Sequence, residues 1–151
     1  MLKLRLTAAA LLLVPGAASA DDRSDVKASV DRWLAAINAN DADALAANQL
    51  PQGMTFRQFH APDGTLKLSN RSNADWVERV RGGKDRLHER YWKPTILVHG
   101  GVATFWAPYS FDIDGKRSHC GIDVFDLVKV EGKWLVANAM WTVEPQGCAK
   151  K

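Results

Sequence analysis

The chain has 151 residues, 46% of them hydrophobic and 25% charged, with a formal net charge of +3. Lys3 and Arg5 belong to a predicted leader, and without them the 20 basic residues fall to 18, against 17 acidic ones. This near balance argues against a nucleic-acid-binding protein, which needs an excess of positive charge. The densest basic run, between residues 79 and 90, is interrupted by Asp85 and Glu89, which predicts a solvated surface of mixed charge.

Residues 1–20 have the pattern of a secretory signal peptide. Lys3 and Arg5 precede the apolar run 8–14, and Ala18-Ser19-Ala20 forms a small-residue cleavage site. The apolar run is shorter than the roughly 20 residues that span a bilayer, although an uncleaved anchor helix is the alternative. We therefore predict a signal peptide at 1–20, a single domain at 21–151, no membrane span after cleavage, and a periplasmic or secreted protein.

Three helices are predicted in the first part of the domain. Residues 24–40 carry apolar side chains at helical spacing, namely Val26, Val30, Trp33, Leu34 and Ile37. Asp41 is placed to cap a short second helix that ends at residue 48, and Ser72 or Asn73 to cap a third over 74–81.

The remaining segments read as strands. A pair at 54–60 and 65–68 precedes the third helix, and 86–98 follows it, interrupted by Pro94. Asp114-Gly115 and Glu131-Gly132 then separate the strands 105–113, 116–130 and 133–143. Asp-Gly between β-branched and aromatic residues is a strong hairpin signal. Helices followed by a long antiparallel meander predict an α+β fold.

Two segments carry a resemblance to a known superfamily. They are VDRWLAAINANDADALAA, a long helix followed by a capped short one, and DVFDLVKVEGKWLVANAMW, the terminal hairpin. Both are similar to the nuclear transport factor 2-like superfamily, the cone fold of ketosteroid isomerase, scytalone dehydratase and SnoaL-like proteins. The resemblance implies a curved antiparallel sheet around the N-terminal helices, a pocket at its open end and, as in many members, a homodimer. Exported SnoaL-like proteins of unassigned role are the nearer match, since the first helix has Trp33 and no tyrosine for isomerase chemistry.

Cys120 and Cys148 are the two cysteines. In an oxidising compartment an even number favours a disulfide, here one that holds the C-terminal tail against the last hairpin. A two-residue turn at Glu131-Gly132 would put Cys120 opposite Val143. Free thiols are the alternative. A nucleophilic Cys120 activated by His119 is disfavoured, because adjacent strand residues point to opposite faces.

Asp123 and His119 are the candidate acid–base residues. They share one face of a strand but stand roughly 13 Å apart at ~3.3 Å per residue, so they cannot form a dyad with each other. A two-residue turn at Asp114-Gly115 would place His119 opposite Ser110 and Asp123 opposite Trp106. The alternative for Asp123 is a place on the outer face. The histidines are scattered, so no metal site is predicted, and no cofactor motif is found.

The six tryptophans favour a pocket for a small hydrophobic or aromatic molecule. Trp106 and Trp92 are predicted at its mouth, with Tyr109 and Asn138 as polar groups that orient the ligand. Three functions remain open: an exported small-molecule-binding protein, an isomerase or dehydratase that uses the same pocket for proton transfer, and an envelope interaction module that uses the outer face of the sheet.

Overall fold

The computed structural model describes residues 20–146 and 148. Its elements in chain order are α1 (Ala20–Ala39), α2 (Ala42–Ala47), β1 (Gln49–His60), β2 (Leu66–Ser72), α3 (Asn73–Arg81), β3 (Leu87–Tyr91), β4 (Thr95–His99), β5 (Val102–Ile113), β6 (Lys116–Val130) and β7 (Lys133–Val143). The predicted α+β class is confirmed. The predicted signal peptide lies almost wholly outside the described residues. None of the described helices is long and apolar enough to cross a membrane.

Seven strands form one curved, unclosed sheet in the order β2-β1-β7-β6-β5-β3. Strand β4 pairs with the same edge of β5 as β3 does, along residues 102–106, whereas β3 pairs along 109–113. Every pairing is antiparallel except that of β1 with β7. The central strands β5, β6 and β7 are the three predicted from the turn signals, and both ends of β6 and β7 agree with the prediction.

Helix α1 packs against part of the concave side of the sheet. Its five predicted apolar residues are all buried. They pack against inward-facing side chains of β5, β6 and β7, and the Trp33 ring lies 5.1 Å from that of Phe125 in an edge-to-face arrangement. Burial of such an apolar stripe stabilises a helix more than intrinsic propensity does. The helix therefore sets one wall of any cavity inside the sheet.

Both predicted turns have the backbone geometry of tight two-residue hairpin turns. Asp114 and Gly115 have φ of 51° and 77°, and Glu131 and Gly132 have φ of 50° and 80°. Two successive positive φ values define the type I′ turn, whose twist matches that of antiparallel strands. The predicted caps are also found, since Asp41 accepts the Ala44 N–H at 2.9 Å and Ser72 begins α3.

The predicted cross-strand partners are wrong by one residue. His119 lies opposite Phe111 rather than Ser110, and Asp123 opposite Ala107 rather than Trp106, because the β5–β6 register shifts between Phe111 and Asp112. A β-bulge inserts one extra residue into one strand, so every pair beyond it moves. A second shift, in β6–β7, puts Cys120 opposite Glu144 rather than Val143.

The predicted disulfide between Cys120 and Cys148 is present, with a Cα–Cα distance of 5.2 Å. Cys120 also exchanges backbone hydrogen bonds with Glu144, so the segment after β7 continues along β6. The bond removes Cys120 as a nucleophile. It ties the end of the chain to the middle of β6, next to the candidate residues His119 and Asp123.

Candidate functional site

A cavity of about 800 Å³ lies between the concave face of the sheet, α1 and α3. This volume falls in the range of sites that bind small molecules, about 300–1,000 Å³. Six aromatic side chains line it: Trp33, Trp76, Tyr109, Phe111, Phe125 and Trp141. They come from α1, α3, β5, β6 and β7, so the cavity exists only because the sheet curves around the two helices.

Two tryptophans form a flat part of the cavity wall. The rings of Trp76 on α3 and Trp141 on β7 lie 5.6 Å apart. The Nε1 atom of Trp76 is buried and has no hydrogen-bond acceptor among the described residues. A buried indole N–H normally finds a partner, because leaving it unpaired costs about 1–3 kcal/mol. The wall therefore offers a bound molecule both a stacking surface and a hydrogen-bond donor.

Two carboxyl groups meet inside the cavity. Asp123 on β6 is 3% exposed, and the deeply enclosed carboxyl of Glu89 on β3 is within hydrogen-bonding contact of it. Strand β5 lies between them, and there the residue opposite Asp123 is Ala107, which carries only a methyl group. The curvature of the sheet and this small side chain allow the two acids to approach each other.

Helix α1 holds the backbone of Glu89 in place. The Asn38 amide oxygen accepts the Glu89 N–H at 2.6 Å, and its nitrogen donates to the Glu89 carbonyl at 3.0 Å. Strand β3 pairs with β5 on one side only, so these two bonds satisfy an edge that would otherwise need water. The position of Glu89 is thus fixed from two sides.

The two acids carry one shared proton. Burial raises the pKa of Glu89 to about 7, although its hydrogen bond with Asp123 opposes that rise. Burial and the neighbouring negative charge of Glu89 raise the pKa of Asp123 well above its usual range. No N–H or O–H of the described residues reaches Asp123 Oδ2. Two carboxyl groups can bond to each other only when at least one is protonated, so the pair holds a proton wherever this contact is made.

Tyr109, one of the predicted ligand-binding residues, lines the cavity, but its hydroxyl proton is already used. The hydroxyl reaches across β6 to donate to the Thr142 carbonyl at 2.8 Å. It passes over Gly121, its cross-strand partner, which has no side chain to obstruct the ring. Burial raises the pKa of Tyr109, so it stays neutral. This hydroxyl therefore orders the sheet and is not free to donate to a bound molecule.

His119 lines the cavity on the same face as Asp123. Its ring lies 5.2 Å from that of Phe111 and 5.7 Å from that of Tyr109. Burial, together with the positive charge of Arg57, lowers the pKa of His119 to about 4. The imidazole is therefore neutral near pH 7. Among the described residues, no group of three or more His, Cys, Asp or Glu side chains could hold a metal ion.

The expectation that Trp106 and Trp92 stand at the cavity mouth is wrong. Trp106 is 42% exposed on the convex face of the sheet, because its neighbours Phe105 and Ala107 are the ones that point inward. Trp92 follows β3, is 40% exposed and does not line the cavity. Asn138 lies outside it too, where its side-chain oxygen accepts the Met54 N–H and joins β7 to β1.

Glu89, Trp76 and Trp141 are the cavity residues that the sequence interpretation missed. The sequence pattern predicts Glu89 on a solvated, charge-mixed surface. Its signal was available, since Leu87, Glu89 and Tyr91 alternate along one face of a strand, and two of the three are apolar. An acid at the middle of an apolar face is a candidate for burial.

No protein-family sequence profile matches the chain, and no characterised protein matches it in sequence. Solved structures do match. A nuclear transport factor 2-like protein of unknown function from Shewanella baltica has a TM-score of 0.64 at 16% identity, over 87% of this chain and 100% of that one. One from Pseudomonas putida gives 0.63 at 15%, over 82% and 87%. A cystatin-like-fold protein of unknown function from Nostoc punctiforme gives 0.65 at 13%, over 85% and 95%. The chain thus has the nuclear transport factor 2-like fold, which confirms the predicted resemblance.

Proposed function

We propose that this chain, a protein of nuclear transport factor 2-like fold, binds a small, flat and largely apolar molecule inside its cavity. The observation that carries the proposal is the pairing of an aromatic wall with a buried indole N–H left unsatisfied, that of Trp76, in the same cavity as the Asp123–Glu89 acid pair. A ligand that stacks on the aromatic rings and accepts a hydrogen bond from the unpaired indole N–H would stabilise this arrangement. The predicted signal peptide and the disulfide support a site of action outside the cytoplasm, in the periplasm or beyond.

The test is a titration with phenylnaphthylamine, an uncharged aromatic dye that fluoresces in apolar surroundings. We expect saturable binding to the wild-type protein and about tenfold weaker binding to Trp141→Ala, which removes one face of the stacking wall. Trp92→Ala is the matched control, because it removes an exposed indole that does not line the cavity, and it should bind the dye like the wild type. Equal weakening in both variants, or no binding at all, would contradict the proposal.

A second candidate function is proton transfer on the bound molecule. It is favoured by the pKa of about 7 at Glu89, since a carboxyl poised near the working pH can both accept and release a proton. Glu89 would then act as the base, with protonated Asp123 donating to it before the substrate arrives. The predicted candidate Asp123 becomes the partner rather than the base.

This candidate is tested by incubating the protein in heavy water with a panel of apolar ketones. We expect deuterium at carbons next to the carbonyl, measured by mass spectrometry, and its loss in Glu89→Gln. Glu131→Gln, a change in an exposed turn, is the control and should exchange like the wild type. A panel that binds but shows no exchange would leave the protein as a binder and remove the catalytic candidate.

A further inference from the structure

Four basic side chains surround the cavity opening. We call these four residues the basic rim. All of them line the cavity and are exposed to solvent: Arg57, Arg71, Arg79 and Lys84. One acidic residue at the same opening, Asp85, accompanies them. The opening therefore has a net positive charge, in a protein whose 18 basic and 17 acidic residues outside the predicted leader nearly balance.

The side chains of the basic rim have no carboxylate partner among the described residues, unlike several cationic side chains elsewhere in the molecule. Arg81, Arg117 and Lys129 each form an ion pair with a carboxylate. In the part of the chain that the structure describes, none of the four rim residues does so. Arg57 instead lies over the Phe59 ring, 4.6 Å from its centroid. Positive charges that converge without counter-charges are typical of a site that receives an anion.

The field of Arg57 also reaches into the cavity. Arg57 is the cross-strand neighbour of Trp141, which in turn lies opposite Asp123. Its charge is one cause of the lowered pKa of His119. Positive charge at the rim, the tryptophan wall and the acid pair therefore follow one another across the concave face of the sheet.

We propose that the ligand is an amphipathic organic anion, held with its acidic group at the basic rim and its apolar body against Trp76 and Trp141. This inference rests on the proposed binding function and gives the chemical class of the ligand. The acid pair fixes the orientation, because an anionic group placed beside the two buried carboxyls would be repelled by either of them once it ionises. The inner end of the ligand is uncharged, or it carries an N–H or O–H group that donates a hydrogen bond to the acid pair.

Two dyes with the same ring system test the inference. Anilinonaphthalene sulfonate carries an acidic group, and phenylnaphthylamine is its uncharged counterpart. We expect Arg57→Gln and Arg79→Gln each to weaken binding of the sulfonate dye about fivefold, as loss of one partly exposed charge contact does. Binding of the uncharged dye should not change. Added salt should weaken the sulfonate dye alone, because exposed charges are screened.

Arg81→Gln is the matched control. Arg81 is on the same helix as Arg79 and is also exposed, but it pairs with Asp43 and Glu78 outside the cavity. We expect it to leave binding of both dyes unchanged. If Arg79→Gln and Arg81→Gln weaken the sulfonate dye equally, or if neither rim variant affects it, the anion inference is overturned while uncharged-dye binding still supports the proposed function. If neither dye binds, both proposals fail.

Discussion

The shared proton of Asp123 and Glu89 makes the stability of the protein depend on pH. The folded-state pKa of Glu89 is about 7, above its ordinary value of 4.5, so the folded protein holds a proton that the unfolded chain has already lost. The stabilisation from this proton is complete below pH 4.5 and disappears as the pH rises through 7. Both acids act in the same direction, since the pKa of Asp123 is raised as well.

We therefore predict that Glu89→Gln stabilises the protein at pH 8 and has little effect at pH 4. The gain should be about 3 kcal/mol, because each unit of pKa shift corresponds to about 1.4 kcal/mol. The free energy of unfolding from urea titrations at a series of pH values measures it. Glu131→Gln in the exposed turn should show no such pH dependence. A Glu89→Gln variant that is less stable at pH 8 would mean that the ionised carboxylate is stabilised in the fold.

At the same scale, Gly121 is required by close packing. A Cβ built there would lie 2.2 Å from the Thr142 carbonyl oxygen, the atom that accepts the Tyr109 hydroxyl. We predict that Gly121→Ala lowers the free energy of unfolding by about 2–3 kcal/mol, as overpacking does. Gly82→Ala is the control, since its nearest atoms are 3.8 Å away and its φ is −84°. Equal stability of the two variants would contradict the close approach.

At the scale of elements, the sequence predicts whole strands better than their pairing. Asp114-Gly115 and Glu131-Gly132 mark both hairpins because turn geometry depends on residues next to each other in the chain. The bulges depend on distant contacts. Near the second register shift, the Ala137 carbonyl accepts a hydrogen bond from the Asn73 side chain and approaches Gly53. Local periodicity carries no trace of such contacts.

The same limit explains the errors in the candidate site. The sequence does predict Asp123 as a candidate, because Asp123 stands among the apolar residues of a long strand. Trp106 was misplaced because an exposed tryptophan and a buried one have the same local pattern. Which face of a sheet is concave depends on what packs against it, here α1, and a single strand does not encode this.

The disulfide is the element-scale feature with the largest expected effect on stability. It closes a loop across 28 residues of separation. In the chain-entropy model, restriction of the unfolded chain by a loop of this length stabilises the fold by about 3.5 kcal/mol. We predict that Cys148→Ser lowers the free energy of unfolding by that amount, measured by urea denaturation, and that reduction of the wild type has the same effect. The double variant Cys120→Ser/Cys148→Ser should lose at most the stability that Cys148→Ser loses, plus the cost of placing a hydroxyl group at the buried position 120. A wild type unaffected by reduction would show that the tail adds no stability.

At the scale of the whole molecule, the convex face of the sheet has an apolar row that the fold does not cover. Phe56, Met140, Val124 and Trp106 are successive cross-strand neighbours on β1, β7, β6 and β5. Met140 is 40% and Trp106 is 42% exposed. Contiguous exposed apolar surface of this kind is typical of a protein–protein interface.

We predict that this row joins two copies of the chain, the homodimer expected from the resemblance. The row crosses the central strands β5, β6 and β7. A second copy related by a twofold axis can present the same residues to it in return. Trp106→Asp should convert the dimer to a monomer, because two carboxylates would then be buried opposite each other. The mass in solution, measured by light scattering after size exclusion, gives the result.

Val130→Asp is the control for this prediction, since Val130 is 41% exposed but lies at a hairpin tip away from the row, and this variant should remain dimeric. A monomeric wild type, or dissociation by both variants alike, would show that the convex face is not the dimer interface.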